Sequence, residues 1–137
     1  MKRETFKHIE AELYSYHDTL KEIDRLREGI MHIYRPTSDE NIGSKGSNKI
    51  ISVTEIKATQ LVNNAHLQSC EKIIEAIDNT YNECDPISQR LIKLRYWTKP
   101  KLTWDQLEVR MECLSKKTAQ RYRNKIVERI GDRMGWR

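Results

Sequence analysis

In the first 30 positions apolar residues recur as Phe6, Ile9, Leu13, Tyr16, Leu20 and Ile23, with spacings of 3, 4, 3, 4 and 3. Arg27 interrupts the next position of that seam and Ile30 resumes it. A repeat of about 3.5 residues puts these side chains on one stripe of a helix, whereas a half-buried strand would need strict alternation. The stripe is narrow, which suits a helix lying lengthwise against one other helix, from the same chain or from a second copy. Five Gly and three Pro in 137 residues, with 33% charged and 37% hydrophobic residues, favour long solvent-facing helices throughout. The expected fold is all-α: a long N-terminal antiparallel helical pair followed by a C-terminal helix-turn-helix domain.

Punctuation divides the chain. Pro36, Gly43 and Gly46, with the intervening Ser, Asp and Asn residues, end the first helix and mark 35–50 as a loop. The phosphate-cradling pattern G-x-x-x-x-G-K-[ST] is absent there, which argues against nucleotide binding. A second helix is expected from Ser52 or Thr54 to about Asn79, with a stripe of Ile56, Gln60 or Leu61, Ala65, Leu67, Cys70, Ile73, Ile74, Ile77 and Tyr81. Asp85-Pro86 reads as a cap followed by Pro at the first helical position, opening a third helix over 86–97. The expected division is therefore 1–82, a helical association region with self-association as a homodimer through residues 6–30, and 83–137, a DNA-binding domain.

Charge separates the same two parts. Residues 1–84 carry 11 Lys and Arg against 14 Asp and Glu, net −3, whereas residues 85–137 carry 14 against 6, net +8. A basic segment of this kind is the electrostatic footprint of a polyanion binder, because each phosphate neutralised by Lys or Arg releases counterions. No stretch approaches the ~18 apolar residues of a membrane span, and MKRETFKHIEAEL has no signal-peptide h-region, so a cytoplasmic chain without membrane contact is expected. Cys70, Cys84 and Cys113 form no C-x-x-C pair, and His8, His17, His32 and His66 are scattered. Reduced thiols and no metal or cofactor are expected. No clustered carboxylates, and no nucleophile with a neighbouring base, can be assembled, so the chain reads as a binding protein and not as an enzyme.

The last third carries the functional pattern. Thr103-Trp104-Asp105-Gln106 has the capping-box form T-x-x-Q, and Ser115 is a good cap for a helix from Lys116 to about Met134. At 100° per residue Ala119, Tyr122, Ile126 and Ile130 share one sector of that helix, while Lys117, Arg121 and Asn124 lie opposite with Gln120 at the flank. Lys, Arg, Gln and Asn are the side chains whose donors match base edges and phosphates. Lys116, Lys117, Gln120, Arg121 and Asn124 are thus the expected recognition surface, with Arg123 and Lys125 nearer the DNA backbone. Thr103 and Thr118 complete the DNA-facing set. Glu128 marks the end of the contact. Trp97, Trp104 and Trp136, single aromatics at helix ends, are read as packing anchors.

The segment from Ser88 to Ile130 resembles the helix-turn-helix of sigma-factor region four at Leu91, Leu94, Tyr96, Thr103, Leu107, Leu114, Ser115, Thr118, Ala119 and Arg121. The N-terminal half adds Glu12-Leu13, Tyr16, Leu26-Arg27-Glu28, Ile30-Met31, Thr37 to Asp39 and Asn41-Ile42-Gly43. Together these are similar to the RinA-type phage transcriptional activators, relatives of the ArpU group. That resemblance implies an activator of phage late genes for packaging, morphogenesis and lysis. It also implies double-stranded DNA as partner, association with the nucleoid of a bacterial host, and leaves contact with host RNA polymerase open. The alternative is a small terminase subunit or another phage DNA-packaging protein, which also joins a helix-turn-helix to an oligomerising helical region.

Overall fold

The computed structural model describes residues 1–34, 53–112 and 114–137, with side chains for 1–30, 55–112 and 114–137. The expected loop 35–50, the Ser52 cap and Cys113 lie outside the described residues, and the Thr54 side chain lies outside the described side chains. Every regular element among the described residues is helical: α1 (Arg3–Tyr14), α2 (Tyr16–Tyr34), α3 (Val53–Glu83), α4 (Pro86–Tyr96), α5 (Trp104–Arg110) and α6 (Lys116–Met134). The all-α expectation holds. None of these helices is long and apolar enough to cross a membrane.

The predicted first helix is interrupted at Ser15 (φ −89°, ψ 4°), which separates α1 from α2. An outside donor accounts for the break. The indole N–H of Trp97 donates to the Leu13 carbonyl at 3.2 Å, taking an acceptor of the last turn of α1. The Trp97 ring also stacks on Tyr16, with centroids 4.6 Å apart.

The chain forms two compact units. One contains residues 1–19 and 72–137, the other residues 20–71. The C-terminal helices therefore share a core with α1 and the end of α3, segments that the sequence assigns to the association region. In this first unit α6 packs on α1, α4 and α5. Ile9 and Leu13 of α1, Leu91 of α4, Leu107 of α5 and Val127 and Ile130 of α6 have no exposed surface. Each such side chain contributes about 1.5–3 kcal/mol by leaving water. Gly131 permits a close approach at this seam, because a Cβ there would lie 3.0 Å from Ile9 Cδ1.

In the second unit Ile23, Leu26 and Cys70 are buried, and Arg27 pairs with Glu71 at 3.0 Å. Glu22 lies 2.9 Å from Arg25 Nε and 3.5 Å from His66 Nε2, and the hydrogen bonds from Arg25 hold its carboxyl below the usual range. Two expectations change here. The seam of residues 6–30 is not a free association face, since Ile9, Leu13 and Ile23 are already buried and only Leu20 reaches 36% exposure. The expected burial at Gln60 or Leu61 also fails for the leucine, which is 72% exposed.

Candidate nucleic-acid interface

Local chemistry fixes where α5 and α6 begin. The Thr103 hydroxyl accepts from the Gln106 amide at 3.2 Å, and the Gln106 side chain accepts from the Thr103 amide at 2.9 Å, so the capping box is complete. Ser115 Oγ accepts from the Thr118 amide at 3.3 Å and starts α6. Between them Met111 and Leu114 are buried, and the Leu114 amide donates to the Met111 carbonyl at 2.7 Å. Asp85 caps α4 in the same way, and the bond from Ser88 lowers its carboxyl below the ordinary range. At the far end Gly135 adopts φ 73°, its amide donates to Asp132 and the Trp136 amide to Gly131 at 2.8 Å, which closes α6 as a Schellman motif.

The faces of α6 separate as its periodicity predicts. Ala119, Ile126, Val127 and Ile130 are buried and Tyr122 is half-buried, whereas Lys116, Lys117, Arg121, Asn124 and Lys125 are exposed. Gln120 and Thr118 lie at the edge, half-exposed. The Thr118 hydroxyl is 2.9 Å from Ser115 Oγ, and Thr103 is exposed but engaged in its cap. No acidic residue occupies the first turn of α6, so two lysines add to the positive end of the helix dipole. Glu108 of α5 accepts from the Lys116 amide at 3.2 Å, and Asp105 lies 3.3 Å from Lys116 Nζ. This second pair is largely solvated and worth little.

Arg123 departs from the expected position beside the DNA backbone. Its guanidinium turns into the fold, bonding Glu10 of α1 at 3.2 Å, with both side chains 18% exposed. It also lies over the rings of Phe6 and Trp104 at 5.0 Å, and its Nε donates to Asn124 Oδ1 at 2.8 Å. The Tyr96 hydroxyl donates to the same Glu10 oxygen at 2.7 Å. Burial first, then the Glu10 charge and this hydrogen bond, raises the Tyr96 phenol far above its usual pKa. Arg95 caps the other side of the cluster, 4.3 Å over Trp104 and donating to the Leu102 carbonyl at 2.7 Å. The arrangement ties α6 to α1, α4 and α5 through one carboxylate and one indole. Sequence reasoning missed Glu10, whose only signal is its place beside Ile9 on the edge of the α1 stripe.

What these parts can do chemically follows from their exposure. A row of cations and amides projects from one face of a helix that is locked on its other face. Among the described residues no group of His, Cys, Asp and Glu is arranged to hold a metal ion. Cys70 is buried and Cys84 half-buried, with burial pushing the Cys84 thiol up.

Comparison with known proteins places the chain. It is 27% identical over 135 residues to the protein called Transcriptional activator rinA of Staphylococcus phage phi11, covering 98% of this chain and 94% of that one. This relative bears out the likeness to RinA-type activators read from the motifs. No solved structure matches the chain. A family model described as Protein of unknown function (DUF722) matches residues 5–132. Since that match takes in nearly the whole sequence, the chain belongs to the DUF722 family.

Proposed function

We propose that this protein is a phage transcription activator that binds duplex DNA with α5 and α6 as a helix-turn-helix inside residues 83–137. The observation that carries the reading is the polar face of α6, where Lys116, Lys117, Arg121, Asn124 and Lys125 are exposed while the opposite face is buried. The name of the phage phi11 relative supports the activator role. In this reading the N-terminal half of α6 enters a major groove. Arg121, Gln120 and Asn124 read base edges, and Lys116, Lys117 and Lys125 meet phosphates. Thr103 and Thr118 sit at helix starts, where backbone amides favour phosphate oxygens. Arg123 positions the helix through Glu10. The regulated genes are the late genes for packaging, morphogenesis and lysis, in the nucleoid of a bacterial host, with host RNA polymerase as a further partner.

Mobility-shift titrations on the phage's own late promoter region test this. Three lysines at phosphates would give a slope of log affinity against log salt of about −3. Arg121→Ala is expected to cost about 1–3 kcal/mol and to relax sequence preference. Lys125→Ala should weaken all sequences alike and flatten the slope by about 1. Binding unchanged by Arg121→Ala would remove the proposed docking.

A further inference from the structure

In the second unit one face of α3 is exposed among the described residues. Leu61 is 72% and Val62 67% exposed, and with Ala58, Ala65 and Ser69 they fall within one ~100° sector of the helix. From Ala58 to Cys70 thirteen successive residues include no Lys, Arg, Asp or Glu, in a chain where these make up 33%, and His66, the one histidine of the run, lies beside Glu22 and outside that sector. A solvent-facing helix ordinarily carries charges on its open face. Exposed apolar residues on an uncharged strip are instead what the centre of a protein interface is made of.

We infer that this face of α3 docks on the same face of a second copy of the chain, antiparallel, with the two-fold axis between Val62 and Ala65. Two features single out a second copy. In an isologous contact a group near the axis lies close to its own twin, so like charges there repel, and this strip carries no Lys, Arg, Asp or Glu. The order of sizes is also self-complementary. With the axis at that point, Val62 of each copy lies over Ala65 of the other, and Ala58 lies over Ser69, so a larger side chain meets a small one and small meets small, and the backbones can approach. A single face of about three helical turns buries far less than the ~800 Å² per partner of a standard interface. The dimer is therefore weak, with a dissociation constant of about 10–100 µM. Where the proposed DNA binding holds, such a dimer presents two reading helices and calls for an operator with two related half-sites.

Sedimentation of the full chain from about 1 to about 200 µM, without DNA, tests the pairing independently of any DNA reading. The wild type should pass from monomer to dimer across that range. Val62→Lys alone and Ala65→Glu alone should each weaken self-association tenfold or more, with helical content and melting temperature unchanged because both positions are exposed. Mixed together, the two variants should restore a dimer, since the introduced lysine of one copy meets the introduced glutamate of the other. A wild type that stays monomeric throughout overturns the proposal. So does a Val62→Lys variant that dimerises as before, or one that loses stability, which would show this face to be covered within the monomer.

Discussion

Glu10 lets the worth of the α1–α6 tie be measured. Its Oε2 accepts from the Tyr96 hydroxyl at 2.7 Å and from Arg123 at 3.2 Å, and Tyr96 is only 4% exposed. A hydrogen bond to a charged group contributes about 1.5–3 kcal/mol, and a buried hydroxyl left unpaired adds its own desolvation cost. Because the Glu10 and Arg123 side chains keep 18% exposure, their ion pair recovers part of its energy from water when broken. Glu10→Ala should then cost about 2–4 kcal/mol, a large share of the ~5–15 kcal/mol that holds a domain together. Tyr96→Phe should cost about 1–2 kcal/mol, since the carboxylate keeps Arg123. In the double variant no hydroxyl is stranded, so its loss should fall short of the sum by about 1 kcal/mol or more. Urea unfolding followed by tryptophan fluorescence and by circular dichroism supplies the three values. Additivity to within about 0.3–0.5 kcal/mol would refute the coupling.

Three further outcomes follow from the caps and the phenols. Gly135→Ala forces an alanine to φ 73° and should destabilise by about 1 kcal/mol, lowering the melting temperature by a few degrees; an unchanged melting curve would contradict the Schellman closure. Thr103→Ala and Ser115→Ala should each cost about 1 kcal/mol in urea unfolding, and Thr103→Asn should recover most of the first loss. The pH response has two limbs of opposite sign. Asp85 has its pKa lowered by Ser88, so its contribution is present above the unfolded carboxylate pKa and is lost as pH falls through the folded value, and Asp85→Asn should flatten the acid limb. Tyr16 is pushed up to about 12 by burial and by its 2.5 Å bond to Asp78, so its contribution is full below the ordinary phenol value near 10 and is lost between there and 12. Tyr16→Phe should remove that part of the alkaline loss in an unfolding series across this range.

How much was legible in the sequence depended on distance along the chain. Thr103 with Gln106, Ser115 with Thr118 and Asp85 with Ser88 are partners three residues apart, and each bond forms as soon as the helix does. The α6 faces were legible for the same reason, because periodicity sorts side chains by their need for burial. Arg123 was not, because the α6 pattern alone cannot show that a carboxylate 113 positions earlier waits beside it.

The sequence by itself thus determined that the described residues fold as helices, where α4, α5 and α6 start, and which side of α6 stays exposed. Tertiary structure decided which surfaces are already spent. The α1 stripe, readable as an association seam, closes against the C-terminal helices with Ile9 and Leu13 fully buried, while Leu61 and Val62 of α3 stay in solvent. An apolar stripe states that a partner is needed, and only the assembled fold, where burial and chain connectivity compete, selects which one.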